Sequence, residues 1–490
     1  MIQRQQLDRQ RGLLLGLALL LILVAWLQVR AGERGLIIRT FQVEGVPLRY
    51  MVPEEATAVP GVLIAHGFAG SQQLMLGYGT VLAQAGYGVI LWDFDGHGAN
   101  PRPLDREGEA LLHNIATAYE TLVAQPEVDA GRIALLGHSM GSGAVMTAAV
   151  EQPELYRAVV AVSPTGADIS PEQPPNLLLQ AGELESRFAD NARDLLARAG
   201  GENDDMAGGH ARSFLLIPRA EHITILFNPL SHAAALDWFN ETVDHETRRP
   251  FTDRRMVWYG LHLLDWLLLV TAVSPLLANS MPAQPGQLRG LWYGLGLLLA
   301  PFLAALLLAL LGRMMDLSTM GGLLVGGALG LWFWLFGLVW LAAGFRPSWP
   351  GGRDLLWGLL LFALLWLAFG SLAQFTWLPW WLTPERLLRW PLLAIACLPW
   401  NLAAGLAQQG ASPWPRFYWW FGQSSLIIMG LIATIALTPA VGFIMLLLPA
   451  IPIVLGLMSV MGGAIDRPWA YALGNALFFG WVITAVFPLA

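Results

Sequence analysis

Gly137-His138-Ser139-Met140-Gly141 is the stretch of this 490-residue chain best suited to chemistry. A serine hydroxyl becomes a nucleophile only when a base takes its proton and fixed donors hold the charge that develops on the attacked carbonyl. The flanks fit that task. An apolar strand pattern runs in over residues 132–136, and a small-residue helix pattern runs out over 141–150. A sharp turn between them pushes the Ser139 hydroxyl past the sheet edge and aims the helix N-terminus at a developing oxyanion. Gly137 and Gly141 are expected there because side chains would meet the neighbouring strand and helix.

Such a turn needs a sheet to stand on. Residues 35–43 and 46–52 alternate and read as an opening hairpin. Short apolar runs follow at 61–65, 88–92, 132–136, 158–162, 176–180 and 213–217, separated by helical patterns. Buried strands alternating with helices of ~10–15 residues predict a mostly parallel sheet covered on both faces. In such sheets the chemistry lies beyond the carboxyl ends of the strands.

The rest of the chain is written for another solvent. Residues 13–27 are apolar and follow Arg4, Arg9 and Arg11, without a small-x-small cleavage site, which predicts an uncleaved anchor helix. After Asp253, eight apolar stretches follow at 256–277, 291–311, 321–343, 355–377, 387–406, 417–437, 441–460 and 470–489. Each is about 20 residues long, enough to span a bilayer. Trp377, Trp380, Trp381, Trp390, Trp400, Trp414, Trp419 and Trp420 lie mostly near their ends, as interfacial indoles do. The expected organisation is an N-terminal tail and anchor over 1–34, an α/β domain over 35–245, an Arg-rich linker over 246–255 and an all-α transmembrane domain over 256–490. No internal repeat is evident.

Charge divides the chain in the same place. The first 250 residues hold 18 Arg and 29 acidic residues, and the remainder holds ten Arg and six acidic residues. An acidic domain is a poor partner for nucleic acid, which demands Lys or Arg at phosphates. Cys397 is the one cysteine, so no intrachain disulfide forms and no cysteine metal site is expected. Arg residues at the N-terminus favour an extracytoplasmic α/β domain; Arg248, Arg249, Arg254 and Arg255 pull the other way.

Three motifs in order resemble the α/β-hydrolase family, in its dienelactone-hydrolase-like form. His66-Gly67-Phe68-Ala69-Gly70-Ser71 resembles its oxyanion loop. Trp92-Asp93-Phe94-Asp95-Gly96-His97-Gly98 resembles its Asp-x-x-Gly-x-Gly turn, and the Ser139 turn follows. The resemblance spans roughly residues 41–240. It implies a serine esterase with the chain order Ser, acid, His. His222, after the last strand, takes the place of the base; His210 precedes that strand and His232 lies in a helical pattern. Glu185 takes the acid's place, with Glu183, Asp190 and Asp168 as competitors. The backbone N–H groups of Phe68 and Met140 take the place of the oxyanion donors. His66, His97 and His138 match residues that support loops. No cofactor and no metal are implied.

The connection 163–175 is too short for the helical lid that many lipases of this fold carry. Access is then either open, with the helices a mere anchor and the substrate soluble, or covered by the membrane domain or the bilayer surface, which would favour a lipid-like ester. His262 and Asp265 share one helix face at spacing three and are expected to pair structurally, with substrate or proton handling as the alternative. The leading expectation is a membrane-bound serine hydrolase acting on a small-molecule or lipid ester. The alternatives are an acyltransferase or peptidase using the same residues, or a transporter or scaffold with a hydrolase-fold binding module.

Overall fold

The computed structural model of the chain describes residues 2–105, 108–278 and 292–490. Met1 and Leu291, where two of the expected segments begin, lie outside the described residues. Helix α1 (Ile2–Ala31) leads into the hairpin of β1 (Leu36–Val43) and β2 (Val46–Pro53). The strands β3 (Val59–Ala65), β4 (Gly88–Trp92), β5 (Val128–His138), β6 (Ala158–Val162), β7 (Leu177–Gly182) and β8 (Arg212–Ile217) complete one eight-stranded sheet. Its order is β1-β2-β4-β3-β5-β6-β7-β8, antiparallel at the hairpin and at β2–β4, and parallel from there on.

The strands are apolar runs because both sheet faces are covered. Along β3, Leu63 and Ala65 point into one core and Val62 and Ile64 into the other. Helices α3 (Glu109–Val123), α4 (Met140–Glu151) and α5 (Ser186–Arg198) close the first core. Helices α2 (Leu76–Ala85) and α6 (Pro229–Val243) close the second. Strand β5 begins four residues before the apolar run, since Val128 and Asp129 are half-buried and Ala130 and Gly131 exposed, too little burial to leave a continuous hydrophobic signal.

The remaining chain is helical: α7 (Arg255–Ala278), α8 (Trp292–Leu311), α9 (Gly326–Gly344), α10 (Gly352–Leu365), α11 (Ser371–Ala373), α12 (Pro384–Leu387), α13 (Trp390–Gln408), α14 (Pro413–Leu437), α15 (Ile451–Ile465) and α16 (Pro468–Val486). Among the described residues eight helices are long and apolar enough to cross a membrane, α1 included. The expected straight span at 441–460 is not among them. There a 3₁₀ segment, Pro439–Leu447, meets α15 at 58°. Pro449 and Pro452 lack amide hydrogens, so the backbone ladder cannot run through. Trp380 and Trp400 also depart from the interfacial expectation, being buried among the aromatic rings of the bundle.

Two ends of the bundle are distinguishable by their contacts. At the far end Arg467 pairs with Asp354 at 2.9 Å and Arg416 with Asp466 at 2.6 Å. The near end grips the α/β sheet. The guanidinium of Arg386 donates to the carbonyls of Gly96 (2.7 Å), Gly98 (3.0 Å), Thr484 (2.6 Å) and Phe487 (2.8 Å). The amide of Leu489 donates to Gly96 O at 2.8 Å, and Leu489 O accepts from Leu104 at 3.0 Å. Trp377 packs against the second sheet core, and Arg255 donates to the Leu76 carbonyl.

Candidate active site

The strand β5 ends at His138 and α4 starts at Met140, leaving Ser139 alone to reverse the chain. Its backbone takes φ 51° and ψ −120°, a strained conformation for a residue with a Cβ. The crowding around it explains the flanking glycines. A Cβ on Gly137 would run into the Gly141 carbonyl, and one on Gly141 would run into the His66 carbonyl and the end of β3. A Cβ on Gly67 would lie 2.8 Å from His138 Nδ1 and 3.0 Å from the Ser139 Cβ. The His66–Ser71 loop therefore lies directly against the turn.

Three of the expected side chains meet here. His222 Nε2 is 3.1 Å from Ser139 Oγ, and His222 Nδ1 is 2.8 Å from Glu185 Oε2. With Nδ1–H donating to the carboxylate, Nε2 is left to accept the serine proton. Glu185 is fixed by its other oxygen, which accepts from the Gly182 amide (2.6 Å) and the Ser163 hydroxyl (2.7 Å). Both His222 and Glu185 are buried. The competing acids go elsewhere: Glu183 accepts from the Arg219 amide, Asp190 pairs with Arg193, and Asp168 is exposed. His232 donates to or accepts nothing at this site; its Nε2 lies 2.8 Å from the Leu226 carbonyl. His210 lies in the loop before β8.

Among the described residues the amides of Phe68 and Met140 donate to no protein acceptor, and both residues line the same cleft as Ser139. The supporting histidines act as loop ties. His66 Nε2 accepts from the Phe94 amide at 3.0 Å while its Nδ1 faces the Gly67 carbonyl at 2.8 Å. This joins the oxyanion-type loop to the turn after β4. Asp93 reinforces the joint, accepting from the Gln72 amide (2.8 Å) and the Ala99 amide (2.9 Å). His138 Nε2 donates to the His222 carbonyl at 3.0 Å, setting the height of the loop that carries the imidazole. Burial lowers the proton affinity of His66, His97 and His138, so all three stay neutral beside the reacting groups.

Sequence reasoning missed several residues here. Ser163, at the carboxyl end of β6 with φ 47°, holds Glu185; its place after a central parallel strand was the available signal. Phe188 stacks on His222 with ring centroids 4.2 Å apart. Thr165 Oγ1 donates to the Ser139 carbonyl at 3.1 Å. Phe443, from the broken helical segment, stacks on Phe68 at 4.1 Å and lines the cleft of about 1450 Å³ that opens on Ser139. Nothing in the sequence linked it to the site. His262 and Asp265 take no part, and they do not pair: His262 Nε2 meets the Ala368 carbonyl at 3.1 Å, in the π-turn after α10. Among the described residues no group of three or more His, Cys, Asp or Glu is arranged to hold a metal ion.

Comparison with known proteins adds the following. Residues 57–206 match the family described as serine aminopeptidase, S33, a stretch that holds Ser139 and Glu185 and stops short of His222. An uncharacterized protein of Mycobacterium tuberculosis H37Rv is 31% identical over 150 residues, which is 30% of this chain and 53% of that protein. The bis(hydroxyethyl) terephthalate hydrolase of Streptomyces coelicolor is 27% identical over 191 residues, 38% of this chain and 58% of that enzyme. Cutinase 2 of Thermobifida cellulosilytica is 23% identical over 203 residues, 40% of this chain and 73% of that enzyme. The chain thus spans about half the length of the first of these curated relatives. Among solved structures, the dienelactone hydrolase of Anabaena variabilis is similar over 43% of this chain and 99% of its own, with TM-score 0.33 and 23% identity. Sheet order, nucleophile turn and family match agree: this chain carries a domain of the α/β-hydrolase fold, similar over residues 57–206 to the serine aminopeptidase, S33, family, followed by a region of apolar helices.

Proposed function

We propose that the protein is a membrane-embedded serine hydrolase that cleaves a carboxylic ester through an acyl-enzyme on Ser139. The observation that carries this reading is the continuous relay from Ser139 Oγ through His222 to Glu185, at 3.1 and 2.8 Å. His222 Nε2 takes the hydroxyl proton as Oγ bonds to the ester carbonyl carbon. The carbonyl oxygen becomes an oxyanion between the Phe68 and Met140 amides, at the N-terminus of α4. Glu185 steadies the imidazolium. His222 then passes its proton to the departing alkoxide as the carbon–oxygen bond breaks. Water gives a proton to His222 as its oxygen bonds to the acyl carbon, and His222 returns that proton to Ser139 Oγ as the carbon–Oγ bond breaks and the acid leaves. Two of the relatives are named for ester substrates, which favours an ester over a peptide bond.

The eight long apolar helices support residence in the bilayer. The far-end connections carry Arg346, Arg353, Arg416 and Arg467, with Arg4, Arg9 and Arg11 at the start of α1; the near end carries Arg30, Arg34, Arg254, Arg255, Arg313, Arg386 and Arg389, of which Arg255 and Arg386 are buried. With the two ends nearly balanced, we take the arginines at the start of α1 as deciding, which favours a cytoplasmic far end and a hydrolase domain outside. Labelling of Asp204→Cys by a membrane-impermeant maleimide in intact cells tests that side, since Cys397 is buried and silent.

The activity test uses the full chain in detergent with a p-nitrophenyl ester. Ser139→Ala is expected to lower kcat at least 10³-fold, and Glu185→Gln by roughly 10³–10⁴-fold through loss of the imidazole's orientation. Turnover that survives Ser139→Ala would overturn the reading.

A further inference from the structure

The broken helical segment reaches the catalytic cleft, and its side chains divide cleanly. Val441 and Ile444 are fully buried in the helical core and anchor the segment there. Phe443 and Met445 turn the other way and stay half-exposed, at 50% and 49%. Together with Leu446 they line the cleft that holds Ser139 and His222. Phe443 lies flat on Phe68, whose amide is the proposed oxyanion donor, with rings inclined by 28°. The bend places large apolar groups where the α/β domain's own short connection after β6 leaves the site uncovered. Side chains of this kind stay wet until an apolar partner covers them.

Part of the same lining has another character. Glu109, Asp190, Asp194 and Glu221 also line the cleft, Asp190 being paired with Arg193, against Arg187 as the one arginine among the described lining residues. A phosphate-bearing group held there would meet like charge.

We propose that Pro439–Leu447 is the acyl-recognition wall of the Ser139 site, and that the substrate is a long-chain acyl ester whose alcohol part carries no negative charge. This rests on the serine-hydrolase reading above and names its substrate class. The near end of the bundle holds this wall, so the acyl chain enters along the helices from the adjoining leaflet. The alcohol part faces the acidic part of the lining. Each methylene the wall covers raises kcat/KM about fourfold until the wall is full.

The test uses the full chain in lipid nanodiscs, with p-nitrophenyl acetate, octanoate and dodecanoate at equal surface dilution. Labelling of Ser139 by a fluorophosphonate is the control: its failure in the unmodified protein overturns the hydrolase reading, independently of the wall. Given labelling, kcat/KM is expected to rise from acetate to dodecanoate. Phe443→Ala is expected to lower the dodecanoate-to-acetate ratio at least tenfold, and Phe443→Leu to restore most of it. Met445→Ala, on the same face, lowers the ratio in the same direction. Monododecanoylglycerol is expected to be cleaved faster than its phosphate-bearing counterpart. A ratio untouched by both alanine variants, or faster cleavage of the phosphate-bearing ester, would overturn the proposal.

Discussion

At the residue scale the candidate site rests on buried neutral imidazoles, His138 packed on His222, and His66 packed on His97 beneath the oxyanion-type loop. His66, His97 and His138 are buried, and burial holds each below the ordinary histidine range. The unfolded chain binds protons at these positions once pH falls below about 6.5, whereas the folded chain resists. Their stabilising contribution is therefore complete above that pH and is lost as pH falls toward the folded values. Thermal midpoints measured from pH 8 to pH 5 are expected to fall on the acid side, and His66→Asn is expected to reduce the slope. Ser139, Glu185 and His222 were legible in the sequence because a strained turn between a strand and a helix leaves a glycine signature. The acid and base then follow from family order. Ser163 was legible only by its place after a central strand, and Thr165 and Phe188 not at all. Each acts through one contact that only the folded sheet creates.

At the element scale the strands follow from the alternation of buried runs and helical patterns, and all eight lie where that alternation puts them. Packing between β3, β5 and α4 leaves no room at Gly141. Gly141→Ala is expected to displace β3 or the nucleophile turn, costing about 3 kcal/mol or more and most of the ester turnover. Gly260→Ala, in α7 with open space around the position, is expected to change folded yield little. Size-exclusion profiles and initial rates of the two variants separate these outcomes. The bend after Pro439 was not legible as a bend. Hydropathy counts apolar residues and is blind to the direction a proline-broken helix takes, so 441–460 read as one more crossing.

At the scale of the whole molecule, the two parts identified by composition are joined by polar contacts that composition conceals. Arg386, with the Leu489 amide, ties the Gly96–Gly98 turn to the end of α16, and that turn supports the His66 loop through Asp93 and Phe94. Arg386→Gln is expected to destabilise the full chain by about 3 kcal/mol or more, because buried carbonyls lose charged donors. The exposed Arg353→Gln should shift the melting midpoint in detergent by no more than a degree or so. This coupling joins the helices to the α/β domain's architecture and brings Phe443 over the cleft that holds Ser139. The central claim remains the chemistry of one hydroxyl, and trapping its covalent adduct tests that most directly. Intact mass spectrometry after fluorophosphonate treatment should show a single adduct, mapped to Ser139 and absent from Ser139→Ala. An adduct that persists in Ser139→Ala, or no adduct on the folded full chain, would contradict the account.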